Sequence, residues 1–214
     1  MPAPATTRRE EPRAKEPTRR RPSERRRADA ERNIAAIVEA GLATIDQHSD
    51  VSMAAIARAA GVSRVTLYAH FPSKESLVEA VLERAVAEAD AVLGAEAVDR
   101  GPARDALARL VRTSWRNLER YGRLYAVATR CLTPQRMRER HGAVLGRVER
   151  LIARGQAEGA FRTDLPRAWL LTVFYNLMHV AAGEVDAGRL HQGEAAGVLE
   201  TTLLAVLTAG AAGA

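Results

Sequence analysis

The chain has 214 residues, a net charge of +6, 47% hydrophobic residues, only 4% aromatics and a single cysteine. That length supports one or two domains with a sizeable core, and the Ala- and Leu-rich composition favours helices. No stretch approaches the roughly 18 apolar residues of a membrane span, the Arg-rich N-terminus lacks the apolar core of a secretion signal, and the lone Cys131 excludes an internal disulfide framework, so a reducing cytoplasm is the expected location.

The charge is unevenly placed. Residues 1–28 hold ten Arg or Lys and four Glu, so the whole excess lies there and the rest of the chain is balanced. With Pro2, Pro4, Pro12, Pro17 and Pro22 and almost no apolar residues, residues 1–27 are expected to be a disordered basic tail. Such a tail is either an arm for nucleic-acid phosphates or a minor groove, or a solvated leader. A first helix follows over 28–48, with Ile34, Ile37, Val38, Leu42 and Ile45 as its apolar stripe.

Residues 51–77, VSMAAIARAAGVSRVTLYAHFPSKESL, have the order of a helix-turn-helix module. Ser52 is placed to cap a helix carrying Ile56, Ala57 and Ala60 on one face. Gly61 supplies a left-handed residue at its end, and Val62 anchors the turn. Ser63 is placed to cap a second helix, in which Leu67 and Phe71 lie four apart on the core side. Pro72 stops that helix, and Ser73 caps a third, expected to run from 73 to 93. Residues 51–74 contain Arg58, Arg64 and Lys74 and no acid. A cation at Lys74, in the first turn of its helix, opposes the helix dipole and makes most sense beside an anion.

The spaced set Ile56-Ala57, Ala60-Gly61-Val62-Ser63, Thr66-Leu67-Tyr68, His70-Phe71 and Ser73-Lys74-Glu75 with Leu77 resembles the DNA-binding domain of the tetracycline-repressor-like (TetR) family of bacterial regulators. The likeness is detailed over residues 29–93. Val65 departs from the Gly or small residue common there, and Met53 and Ala54 stand where relatives often have polar residues. The candidate DNA contacts are Ser52, Ser63, Arg64, Val65, Thr66, Tyr68, His70 and Lys74. Arg64 suits a bidentate bond to guanine, and Val65 and Thr66 offer methyl groups to thymine. Tyr68, His70 and Lys74 resemble the family's backbone-contacting positions, and Ser52 can meet a phosphate.

Beyond a break at 94–102, helices are expected at 103–119, 122–131, 134–157, 166–187 and 192–211, with Pro102, Pro134 and Pro166 near their starts. The expected architecture is all-α: residues 28–93 form a three-helix DNA-binding domain with a connecting helix, and residues 94–214 a C-terminal helical bundle. By the resemblance, this bundle binds a small-molecule effector of unknown identity and forms a homodimer. Double-stranded DNA with a near-palindromic operator is the expected partner, and no cofactor or metal is expected. Candidate effector contacts are Trp115, Leu118, Tyr121, Tyr125, Met137, Trp169, Phe174, Met178 and His179. Two apolar faces are expected at the dimer interface, one with Leu170, Leu171, Phe174, Leu177 and Met178, the other with Val198, Leu199, Thr202, Leu203 and Val206. The five dispersed histidines form no metal-ligand spacing, and no catalytic constellation is evident. A ligand-responsive repressor is the leading expectation. The competing one is an architectural DNA-binding protein that relies on its basic tail and lacks sequence preference.

Overall fold

The computed structural model describes residues 22–47, 52–95 and 100–208. Among them the chain is all-α, in the order α1 (Pro22–Gln47), α2 (Met53–Ala59), α3 (Arg64–His70), α4 (Lys74–Ala95), α5 (Ala103–Cys131), α6 (Pro134–Arg140), α7 (Gly142–Ala157), α8 (Arg167–Asp186) and α9 (Gln192–Thr208). The N-terminal helix-turn-helix domain and the C-terminal helical bundle both have the expected all-α form.

The starts of α2, α3 and α4 are set by side-chain caps. Ser52 accepts from the Ala55 N–H at 3.3 Å and Ser63 from the Thr66 N–H at 3.0 Å, each satisfying a donor the helix leaves open. At α4 the cap is reciprocal. Ser73 Oγ accepts from the Ser76 N–H at 3.1 Å, and Ser76 Oγ accepts from the Ser73 N–H at 3.2 Å. Helix α2 ends as a Schellman motif, with Gly61 N–H donating to the Arg58 carbonyl at 3.1 Å and Val62 N–H to the Ala57 carbonyl at 3.0 Å. This turn requires φ +68° at Gly61, the left-handed region that L side chains rarely enter.

Two apolar cores share α4. The first joins Ile37, Ile45, Ile56, Leu67, Leu77 and Val81, all fully buried, and so packs α1 to α4 together. At the α1–α4 crossing Gly41 permits close approach, since a Cβ there would lie 2.9 Å from Val81 Cγ2. The second core joins Leu93, Leu107, Leu110, Ile152, Leu170 and Leu203 from α4, α5, α7, α8 and α9. Each fully buried Leu or Ile contributes roughly 1.5–3 kcal/mol relative to exposure.

Several boundaries differ from the sequence expectation. Helix α1 begins at Pro22, so residues 22–27, expected in the disordered tail, are helical; the remainder of that tail lies outside the described residues. The expected helices 103–119 and 122–131 are one helix kinked at Tyr121 (φ −111°, ψ 16°), next to Gly122. The expected helix 134–157 is broken at His141, whose Nδ1 donates to the Met137 carbonyl at 2.7 Å while its backbone N–H turns to Arg138. The two apolar faces expected at a dimer interface are mostly internal: Leu170, Leu171, Phe174, Met178, Leu199 and Leu203 are buried in the chain's own core. Spatially, the C-terminal part of α5 belongs with the N-terminal module, because Leu124, Val127 and Ala128 pack into its core.

Replacing Gly61 by alanine forces a Cβ into the left-handed region without any clash to relieve, since no atom lies within 4 Å. We expect a loss of about 1–2 kcal/mol in chemical denaturation with an unchanged m-value.

Candidate functional site

Helix α3 holds its inner face down through Leu67 and, at its C-cap, Phe71, which leaves its outer face free. Val65 is 81% exposed and Tyr68 49% exposed, large apolar surfaces with no partner in the chain's own core. Arg64, Ser63 and Ser52 are exposed, whereas Thr66, His70 and Lys74 are half-buried. Ser63 Oγ and Thr66 Oγ1 lie 2.8 Å apart, so the Thr66 hydroxyl is engaged at the helix start and its methyl group is the simpler contact to offer. The module therefore gathers the eight sequence-predicted residues at α3 and the starts of its neighbours α2 and α4. Exposed Arg58, at the end of α2, adds a cation to the same module.

A second site lies in the bundle. A cavity of about 90 Å³ is lined by α4, α5, α8 and the α6–α7 junction. Leu82, Ala85, Val86, Ala89 and Leu93 of α4 form its apolar wall. Of the predicted effector contacts, Leu118, Tyr121, Tyr125, Phe174, Met178 and His179 line it. Three do not. Trp115 lines a separate cleft, and its Nε1 donates to Glu119 at 2.7 Å. Met137 is buried in the N-terminal core. Trp169 is 56% exposed on the outer side of α8. Four polar lining residues went unpredicted: Ser114, Asn117, His141 and Tyr175. Ser114 and Asn117 were legible, since they share a helical stripe with Leu118, Tyr121 and Tyr125. Tyr175 is likewise one turn before His179. His141 carried no such signal, because it marks a break in what reads as continuous helix.

The polar side chains form an aromatic cluster. His179 stacks on Tyr125 with centroids 4.3 Å apart and lies 4.3 Å from Tyr175 and 5.3 Å from His141. The Nδ1 of His179 is 2.7 Å from the Tyr175 carbonyl, which can only accept, so Nδ1 carries the proton. Burial, reinforced by neighbouring His141, lowers the His179 pKa to about 4, against a backbone bond that raises it. Burial also lowers the pKa of His141 and raises those of Tyr125 and Tyr175. All four groups are therefore neutral near pH 7, and His179 Nε2 is a bare acceptor. It is buried without a hydrogen-bond partner, as is Ser114 Oγ. Among the described residues, no Asp, Glu, Lys or Arg lines the cavity.

The two sites are joined by ion pairs on α4. Glu79, only 8% exposed, bonds to Arg136 and, at 2.9 Å, to Arg140 of α6; Arg140 also reaches Glu83 at 3.1 Å. Further along, Arg147 of α7 holds Asp90 at 3.1 Å.

Residues 37–81, from the middle of α1 through the turn and into α4, match the family described as bacterial regulatory proteins, tetR family. This segment is similar to a tetR-family regulatory domain. The whole fold is similar to solved structures, among them a TetR-like transcriptional regulator. FadR from Bacillus subtilis, in complex with stearoyl-CoA, is 17% identical with a TM-score of 0.66, covering 82% of this chain and 98% of that one. LfrR from Mycobacterium smegmatis, in complex with proflavine, is 21% identical with a TM-score of 0.61, covering 84% and 98%. RolR in complex with resorcinol is 19% identical with a TM-score of 0.61, covering 87% and 92%. No curated protein matches the sequence.

Acid should expose the buried histidines. In the tetR-like fold His179 stays neutral down to about pH 4, while the unfolded chain takes up that proton near 6.5. Below 6.5 the unfolded state therefore binds more protons, and stability falls with pH until it levels off below 4. The difference corresponds to about 3 kcal/mol from this residue. Urea denaturation between pH 7 and 4.5 should show a steep loss, and His179→Phe should flatten it.

Proposed function

We propose that this chain is a homodimeric transcriptional repressor that binds a near-palindromic operator and releases it when a small hydrophobic effector occupies the bundle cavity. The observation that carries this reading is the dual role of α4. Its Leu77 and Val81 pack in the core that seats α3, and its Leu82, Val86 and Leu93 wall the cavity. An effector that moves this helix also moves the recognition helix. The tetR-family neighbours bound to stearoyl-CoA, proflavine and resorcinol support an effector role for the bundle.

The cavity is smaller than the roughly 300–1,000 Å³ of drug-sized ligand sites. A large effector therefore requires side chains or helices to move, which gives it differential affinity for a second conformation. That difference is what shifts a population. Arg64, Val65 and Thr66 read base edges, while Ser52, Ser63, Tyr68, His70 and Lys74 fix the register on phosphates.

The dimer face follows from what remains exposed after the core is formed. Trp169 and Val180 on α8 are each 56% exposed, and Val198 on α9 is 47% exposed beside exposed Thr202. Spacings of eleven and four residues place each pair on one helix face. A two-fold contact through these faces presents two matched recognition helices.

Binding selection from random DNA at near-physiological salt should enrich an inverted repeat. Arg64→Ala should lose about 1–3 kcal/mol at one base position per half-site while retaining sequence-independent binding. Absence of enrichment, with tight salt-sensitive binding to all sequences, would overturn the repressor reading in favour of an architectural one.

Val180→Glu places an unpaired charge in the proposed interface but at an exposed position of the monomer. Sedimentation should show a folded monomer with greatly weakened operator binding; an unchanged dimer would move the interface elsewhere.

A further inference from the structure

The cavity has a chemical polarity that its apolar walls conceal. Among its buried hydrogen-bonding atoms is an imidazole lone pair that can only accept. His179 Nδ1 is committed to the Tyr175 carbonyl, which leaves Nε2 as a lone pair without a partner. Asn117 donates its amide N–H to the Thr113 carbonyl at 3.0 Å, which leaves its Oδ1 as the other acceptor. The Tyr125 hydroxyl is already used in a bond to Tyr175. Ser114 Oγ and the Tyr121 hydroxyl, both buried without a partner, and the Tyr175 hydroxyl, which accepts from Tyr125, retain donors, so His179 Nε2 is the group here that can only accept. With no cation in the lining, an anionic ligand meets no compensating charge, and with no acid a cationic ligand is desolvated unpaired.

We propose that the cavity takes a neutral compound built on a single aromatic ring with a hydroxyl or N–H donor, and that this donor bonds to His179 Nε2. The Tyr125 ring stacked on His179 and the apolar α4 wall hold the ring itself. A void of about 90 Å³ sets the scale, since one ring needs only modest displacement of flexible Met178 and Leu118. This assignment of ligand class rests on the reading of the cavity as the effector site.

The test is calorimetric titration of the full chain with four matched probes: para-ethylphenol, para-ethylanisole, ethylbenzene and para-ethylbenzoate. The phenol should bind roughly tenfold or more tightly than the anisole or ethylbenzene, the difference expected for satisfying one buried acceptor. The benzoate should bind more weakly than the phenol. In the wild-type chain, nitrogen-15 spectra should show the His179 Nε2 resonance moving toward that of a hydrogen-bonded nitrogen when the phenol is added. His179→Phe, which keeps an aromatic ring, should erase the preference for phenol over ethylbenzene. Equal binding of phenol and anisole, tightest binding of the benzoate, or no phenol binding at millimolar concentration would each overturn the proposal. Operator release is scored separately. Selective phenol binding without release would leave the ligand class standing and remove the effector role.

Discussion

The structure depends on a single helix being packed on two sides at once. Helix α4 supplies Leu77 and Val81 to the core under the turn and Leu93 to the core of the bundle. Native interiors are close-packed and repack in discrete steps, so a helix shared by two cores transmits displacement instead of absorbing it. The polar contacts tighten this coupling. Glu79 is almost fully removed from water, and two guanidinium groups from α6 satisfy it. Both arginines keep part of their surface in solvent, so the clamp contributes less than a fully buried pair would. Its consequence is geometric: removing either side leaves a buried carboxylate short of partners, so α6 and α4 move together.

Helix α6 in turn ends at the cavity. His141 follows its last residue, reaches back to the Met137 carbonyl, and stands edge-on to both Tyr175 and His179. Met137, one turn earlier, is buried in the N-terminal core. A chain of contacts thus runs from the aromatic cluster through His141 and α6 to Glu79, and a second runs directly through the α4 wall. On the proposed reading, both bias the spacing of the recognition helices. The neutral state of the cluster is part of the same arrangement, because a protonated imidazole here would carry its charge into a cavity that lacks any counter-ion.

The helix-turn-helix was legible because local chemistry specifies it. Ser52, Gly61, Ser63 and Ser73 each have one cheap role, and the structure uses all four in that role. The cavity was half legible. Periodicity places Leu118, Tyr121 and Tyr125 on one face, and the cavity lies there, but periodicity does not say which aromatic faces inward across the bundle. Trp169 is apolar and helical like Phe174, yet the two point to opposite sides of α8. The assignment of Leu170, Leu171 and Met178 to an external interface failed for the same reason. An α8 that is apolar on most of its circumference does not declare which side the chain keeps for itself. The kink at Tyr121 falls in the expected gap between 119 and 122 without ending the helix, whereas the break at His141 was not legible, because it is marked by a side-chain-to-carbonyl bond inside an otherwise helical pattern.

The small cavity and the unpartnered Nε2 bear on each other energetically. A buried acceptor left without a partner costs about 1–3 kcal/mol, and a ligand donor that satisfies it recovers that amount only in the conformation where it fits. If the effector-bound conformation is the one that opens the cavity, this recovered energy belongs to the state that does not hold DNA. It is then a differential affinity and not merely an affinity. A coupling of 1–3 kcal/mol is about a 5- to 150-fold change in operator binding, the ordinary scale of allosteric control. On the proposed reading, one hydrogen bond inside this largely apolar site is enough to supply the switch, provided that the DNA-bound conformation withholds it.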